Sequence, residues 1–166
     1  MTLLIDDAGV GDLLSGVVIG IYRPETDRFD FEMVDVQYFQ KGAFKRKGYL
    51  RETADVVLRL VERFRLEETE TIEICSSFIF DEAVKQLKDK HAESRVKVVK
   101  IVGKAQDETE KAYLNELRKL GYESISDRDT RRARSFFHML RWVKQDRSRL
   151  QYAKTGWPRL RRYIRF

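Results

Sequence analysis

Over the first 125 residues, apolar positions fall into short blocks whose spacing switches between two and about 3.6, the periods that separate strands from helices. Leu3, Leu4 and Ile5 form an apolar run that stops at Asp6-Asp7-Ala8-Gly9-Val10-Gly11, where acids and glycines favour a turn; this predicts a first strand over 2–6. Residues 15–23 are rich in Val and Ile. Pro24-Glu25-Thr26-Asp27-Arg28 then supplies turn chemistry, and Phe29, Phe31, Met33 and Tyr38 continue an extended pattern, so a hairpin follows strand one. Leu50, Ala54, Val57, Leu58, Val61 and Phe64 stand at helical spacing and predict a helix over 50–66.

Residues 69–76 (TETIEICS) read as a fourth strand, 80–91 as a second helix with Ala83, Val84 and Leu87 on one stripe, and 96–102 (VKVVKIV) as a fifth strand. A third helix is predicted over 107–120, with Ala112, Tyr113, Leu117 and Leu120 inward and Gly121 in the stop position. Asp107-Glu108-Thr109-Glu110 reads as its capping box. The order β-β-β-α-β-α-β-α implies an α/β fold with a mixed five-stranded sheet, in which strands one, four and five run parallel and strand one is central.

From Ser126 the pattern becomes a basic helix over 126–150 and an aromatic, basic tail, QYAKTGWPRLRRYIRF. Ala133, Phe136, Phe137, Leu140 and Val143 form an apolar stripe that should dock on the preceding domain, so 1–125 and 126–166 are expected to pack as one body. Arg131, Arg134, His138 and Arg141 recur at spacing three or four on another face, a positive ridge.

Charge sharpens this division. Residues 127–166 hold thirteen Lys or Arg against three acids, a net of +10, which leaves −4 for the rest of a chain whose formal net charge is +6. An acidic body with a basic end points to a polyanionic partner. Trp142, Tyr152, Trp157, Tyr163 and Phe166 are interleaved with those cations, so Arg131, Arg134, Arg141, Arg161 and Arg162 are candidates for phosphate contact and Trp157 for stacking on a base. The same residues would equally cover a protein partner or a second copy. One cysteine, Cys75, and two isolated histidines, His91 and His138, offer neither a disulfide framework nor zinc-ligand spacing, and no apolar stretch approaches membrane-spanning length; an intracellular, cytoplasmic chain without a membrane anchor is expected.

The order of elements is that of the ribonuclease-H-like fold, and IDDAGVGDLLSGVVIGIY resembles the start of type 2 ribonucleases H, whose first strand ends in Asp-Glu-Ala-Gly-Arg-Gly. On that resemblance Asp6 takes the place of the family's first carboxylate, Asp7 of its second, and Gly9 and Gly11 of its glycines at the nucleic acid, while Val10 stands where the family has arginine. The resemblance implies Mg2+ or Mn2+ held by carboxylates from several elements and used in phosphodiester hydrolysis. The physical reason is general: hard cations need several oxygen ligands, and clustered carboxylates need a cation or a proton between them. In open α/β sheets ligands collect at the carboxyl ends of the strands. There the sequence offers Asp6 and Asp7, then Ser76 and Ser77, then Asp107, Glu108 and Glu110 at the third helix, of which Asp107 and Glu110 are taken as ligands. The fold normally carries an acid where Cys75-Ser76-Ser77 stand, and Glu52 or Asp55 of the first helix is the substitute to consider. Two functions follow: a divalent-metal-dependent nuclease acting on RNA, RNA-DNA hybrid or structured DNA, or a non-catalytic nucleic-acid-binding module with a degenerate site.

Overall fold

The computed structural model describes residues 1–128 and 130–163, and only the backbone of Arg159 and Arg161. Five strands, β1 (Thr2–Ala8), β2 (Val17–Arg23), β3 (Arg28–Val34), β4 (Thr71–Cys75) and β5 (Val96–Val99), form one sheet in the order β3-β2-β1-β4-β5. β2 pairs antiparallel with β1 and β3, whereas β4 pairs parallel with β1 and β5. The expected mixed sheet with a central first strand is thus present. β1 runs two residues past its expected end because Asp7 and Ala8 pair with Ile19 and Val18 across the hairpin. β3 stops at Val34 rather than near Tyr38, since Asp35 accepts the Gln37 N–H at 2.8 Å and turns the chain into a short 3-10 segment.

Side-chain alternation distributes the sheet between two helical layers. Leu3, Ile5, Val17, Ile19 and Ile21 pack with Val56, Val57, Leu60 and Phe64 of α1 (Gly48–Phe64) and with Ala83 and Leu87 of α2 (Asp81–Lys90). Ala8 and Val18 face the other side, against Ala112, Tyr113 and Leu117 of α3 (Lys104–Lys119) and Met139, Leu140 and Val143 of α4 (Arg132–Gln145). All seven residues of β2 are therefore buried, as a strand covered on both faces requires. Gly20 is what lets α3 lie so close: a Cβ there would meet Thr109 Oγ1 at 2.1 Å. Removing one of the large buried side chains from these layers, as in Leu60→Ala, costs about 2–5 kcal/mol.

Two helix boundaries differ from expectation. α3 begins at Lys104 behind Gly103, which takes φ +74°, so Asp107 lies inside the first turn and caps nothing. The basic helix is shorter than 126–150, because Asp146 accepts the Ser148 N–H at 2.9 Å and starts a 3-10 stretch over Arg147–Tyr152. Its buried face is also rotated: Ser135, Met139, Leu140 and Val143 are buried, Phe136 is half-buried, and Ala133 and Phe137 of the expected stripe are exposed. The final segment is nevertheless bound to the body. The Ser15 N–H donates to the Tyr152 carbonyl at 2.7 Å, the Lys154 N–H donates to Leu13 at 2.8 Å, and Ala153 and Leu160 join the core beneath α4.

Candidate functional site

The site begins with strand length. The last β1–β4 pair is Ile5↔Ile74, after which β4 ends at Cys75 while β1 continues through Asp6 and Asp7. Register thus sets Cys75 beside Asp6, and one ligand atom from each of Asp6, Asp7 and Cys75 lies within 4.8 Å of the others. The three form the inner wall of a cleft of about 630 Å³ that also takes in Gly9, Gly11, Phe44, Ser77, Phe78, Lys100, Glu110, Arg132 and Trp157.

Burial raises the carboxyl pKa of Asp6, against hydrogen bonds from the Asp7 N–H and Cys75. Burial and the neighbouring Asp6 charge push Asp7 up to about 6, although the Ser77 hydroxyl and the Arg132 guanidinium pull the other way. Cys75 is pushed up to about 12, chiefly by burial and then by the two carboxylates, so it is a thiol at neutral pH. Two close carboxylates in a largely buried wall are short of positive charge, and a cation or a proton relieves that shortage. Their oxygens suit a hard divalent ion; the protonated sulfur does not. The donor set therefore fits one such ion held by Asp6 and Asp7 with water completing its shell, rather than two.

The loop after β1 is fixed from both ends of the chain. Gly9 has φ +96°, and a Cβ on it would fall 2.5 Å from Tyr113 Cε2, so both backbone conformation and space require glycine. Tyr113 is held in turn by donating its hydroxyl to the Leu14 carbonyl at 2.8 Å. Lys154 is fully buried and donates to the carbonyls of Gly9 at 2.9 Å, Asp12 at 2.8 Å and Leu14 at 3.3 Å. Complete burial pulls its pKa down to about 7 against the nearby Asp12 charge. Arg128 bridges Asp12 and Glu110 on the same side. No family model matches the chain, and neither a curated protein nor a solved structure does.

Of the expected ligands, then, Asp6 and Asp7 stand together. Glu110 lines the same cleft but is ion-paired to Arg128, and Asp107 is exposed on α3 and does not line it. Ser76 is exposed, whereas the Ser77 hydroxyl turns to Asp7 instead of capping the following 3-10 turn. Glu52 is engaged by Arg59 at 3.6 Å and by the Tyr38 hydroxyl at 3.3 Å, and Asp55 is exposed; neither lines the cleft. Among the expected nucleic-acid contacts, Gly11 and Trp157 line the cleft, while Arg141 and Arg162 are exposed. Arg131 and Arg134 are tied to Asp127 at 3.2 and 3.5 Å, and the side chain of Arg161 lies outside the described residues.

Arg132 and Lys100 were not singled out by the sequence, and Cys75 was named near the site only with Ser76 and Ser77, as standing where the fold normally carries an acid. The signal for Cys75 is register: counting forward from the paired strand starts, Thr2↔Thr71, sets the last residue of β4 beside the first aspartate. Arg132 differs from its neighbours Arg131 and Arg134 in facing the cleft, which depends on where the helix is rotated and is not marked in the charge pattern. His138, placed on the positive ridge by its spacing, is half-buried instead, with Nδ1 2.6 Å from the Tyr122 hydroxyl.

Proposed function

We propose that this chain is a divalent-cation-dependent nuclease of ribonuclease-H type, with Asp6 and Asp7 holding one Mg2+ or Mn2+ ion at the floor of the cleft. The observation that carries the reading is the pairing of a buried carboxylate, Asp6, with a half-buried one, Asp7, at the carboxyl end of the central strand, opposite the Arg132 guanidinium. Support also comes from the mixed five-stranded sheet with its first strand central, as the order of elements implied, and from the DDAGVG resemblance. A bound ion would supply Lewis acidity toward a phosphoryl oxygen and lower the pKa of a bound water. The chain's own contribution is to hold the ligands: Ser77 and the Asp7 N–H orient the two carboxyl groups, and Arg132 and Lys100 provide positive charge for a phosphodiester beside them. The test is manganese- or magnesium-dependent cleavage of a panel of RNA, RNA-DNA hybrid and branched DNA. Cleavage that disappears in Asp6→Asn supports the reading, and no cleavage above that variant ends it.

A second reading, a non-catalytic nucleic-acid-binding module, is favoured by two observations: β4 ends at Cys75 and is followed by Ser76-Ser77 without an acid, and Glu110 is already neutralised by Arg128. It predicts salt-sensitive binding that survives Asp6→Asn with no cleavage by either protein. Among the described residues no helix is long and apolar enough to cross a membrane.

A further inference from the structure

Beside the acidic cleft lies a second pocket of about 370 Å³, walled by Phe136 and Phe137 of α4 and by Trp157 and Tyr163 of the terminal segment, with Arg132 and Arg162 at its edge. The phenylalanines and Tyr163 meet edge to face, with ring centroids 5.3 to 5.7 Å apart. Yet Phe137 is 45% and Tyr163 39% exposed, so ring surface is presented to solvent rather than used up in the core. The two pockets share Gly11, Arg132 and Trp157. Gly11 forms the low divide: a Cβ there would lie 3.5 Å from Arg132 Nη1, and a longer side chain would stand between them.

We propose that this pocket receives one unpaired nucleobase of a single-stranded nucleic acid whose adjoining phosphate sits at Arg132. Three features choose that occupant. The walls are aromatic and match the flat face that every base offers for stacking, worth a severalfold gain in affinity per base. The charged groups that line it are both guanidiniums, Arg132 and Arg162, which suits an occupant that carries phosphate and disfavours a basic one. The decisive feature is adjacency: Arg132 belongs to both pockets, so an occupant with a ring on one side and a phosphodiester on the other satisfies both at once, which an apolar protein side chain does not. The pocket stands on its own geometry, and it rests on the nuclease reading only for the expectation that the phosphodiester at Arg132 is the one to be cut. In a continuous duplex the base would remain stacked and paired, so the pocket selects single strands, loops or frayed ends.

The experiment is fluorescence anisotropy of the full chain, in EDTA so that nothing is cut, with a labelled oligothymidylate, the matching abasic oligomer and the matching duplex. The proposal expects the oligothymidylate to bind roughly fivefold or more tightly than the abasic strand. Phe137→Ala combined with Tyr163→Ala should erase that preference while leaving abasic binding unchanged, with circular dichroism showing that the double variant is still folded. Equal affinity for thymidylate and abasic strands overturns the proposal, as does a preference that persists in the double variant. It is equally overturned if light scattering finds the chain dimeric and Phe137→Ala monomeric, because the rings then cover a second copy. Base preference without cleavage under any metal removes the nuclease reading and keeps the pocket; cleavage without base preference does the reverse.

Discussion

The Lys154 ammonium donates to the Gly9 carbonyl at 2.9 Å across 145 positions of sequence, so the terminal segment of the chain holds the loop that follows the paired aspartates. Two further carbonyls, of Asp12 and Leu14, accept from the same nitrogen. The basic end of the chain is therefore a structural part of the candidate site as well as a carrier of positive charge.

Lys154→Met should keep the buried volume and leave three carbonyls without their donor, at a cost of about 2–4 kcal/mol in stability. The pH dependence has a definite sign. With the folded pKa lowered to about 7, the unfolded chain carries a proton that the folded chain has released between there and the ordinary lysine value near 10.4, so this group makes stability rise with pH across that window. Chemical denaturation at pH 7 and pH 9 checks it: the wild type should gain more than Lys154→Met, and equal gains would refute the assignment.

Asp7 makes the opposite contribution. Its carboxyl is raised to about 6, above the unfolded value near 3.8, so the folded chain binds more protons and stability falls as pH rises through that interval. In EDTA, Asp7→Asn should therefore stabilise the protein by about 1–3 kcal/mol at pH 7 and by little near pH 4. Calorimetric melting of both proteins at the two pH values decides this, and a destabilised Asp7→Asn would contradict the electrostatic account of the site.

Glu110 and Arg128 separate structure from ligation. Arg128→Met should cost about 3–5 kcal/mol because the carboxylates of Asp12 and Glu110 lose the charge between them, while Glu110→Gln should cost less and leave manganese binding intact. Loss of manganese binding in Glu110→Gln would show that this carboxylate ligates after all.

Arg132 should matter more than the other arginines at the start of α4. Arg131 and Arg134 are each paired with Asp127, whereas Arg132 faces the cleft, so Arg132→Ala should weaken nucleic-acid binding and lower the slope of log K against log salt by about one, with Arg134→Ala changing it less. Binding titrations at several salt concentrations test the contrast; equal effects would mean the whole ridge binds as a uniform field.

Much of the fold was legible because its strands and helices announce themselves by period: β2 between two layers, α1 with its regular apolar stripe, the turn chemistry of Pro24 to Arg28. The start of α3 was not, since Gly103 opens it with no capping side chain and the acids at 107–110 imitate a start. Adjacent aromatics misled in α4, where Phe136 and Phe137 looked like core and Met139 and Ser135 proved to be. Asp6 and Asp7 were legible as acids at a strand end. Cys75 required the β1–β4 register, and Lys154 had no local signal at all, because a lysine is almost never fully buried and only the return of the chain onto the β1–β2 loop explains this one.

The central claim is that Asp6 and Asp7 hold a single divalent ion at the end of the central strand. Titration of the full chain with Mn2+, with free ion followed by electron paramagnetic resonance, tests it most directly. One ion bound per wild-type chain and none in Asp6→Asn or Asp7→Asn is the predicted result; binding that persists undiminished in both variants would contradict it.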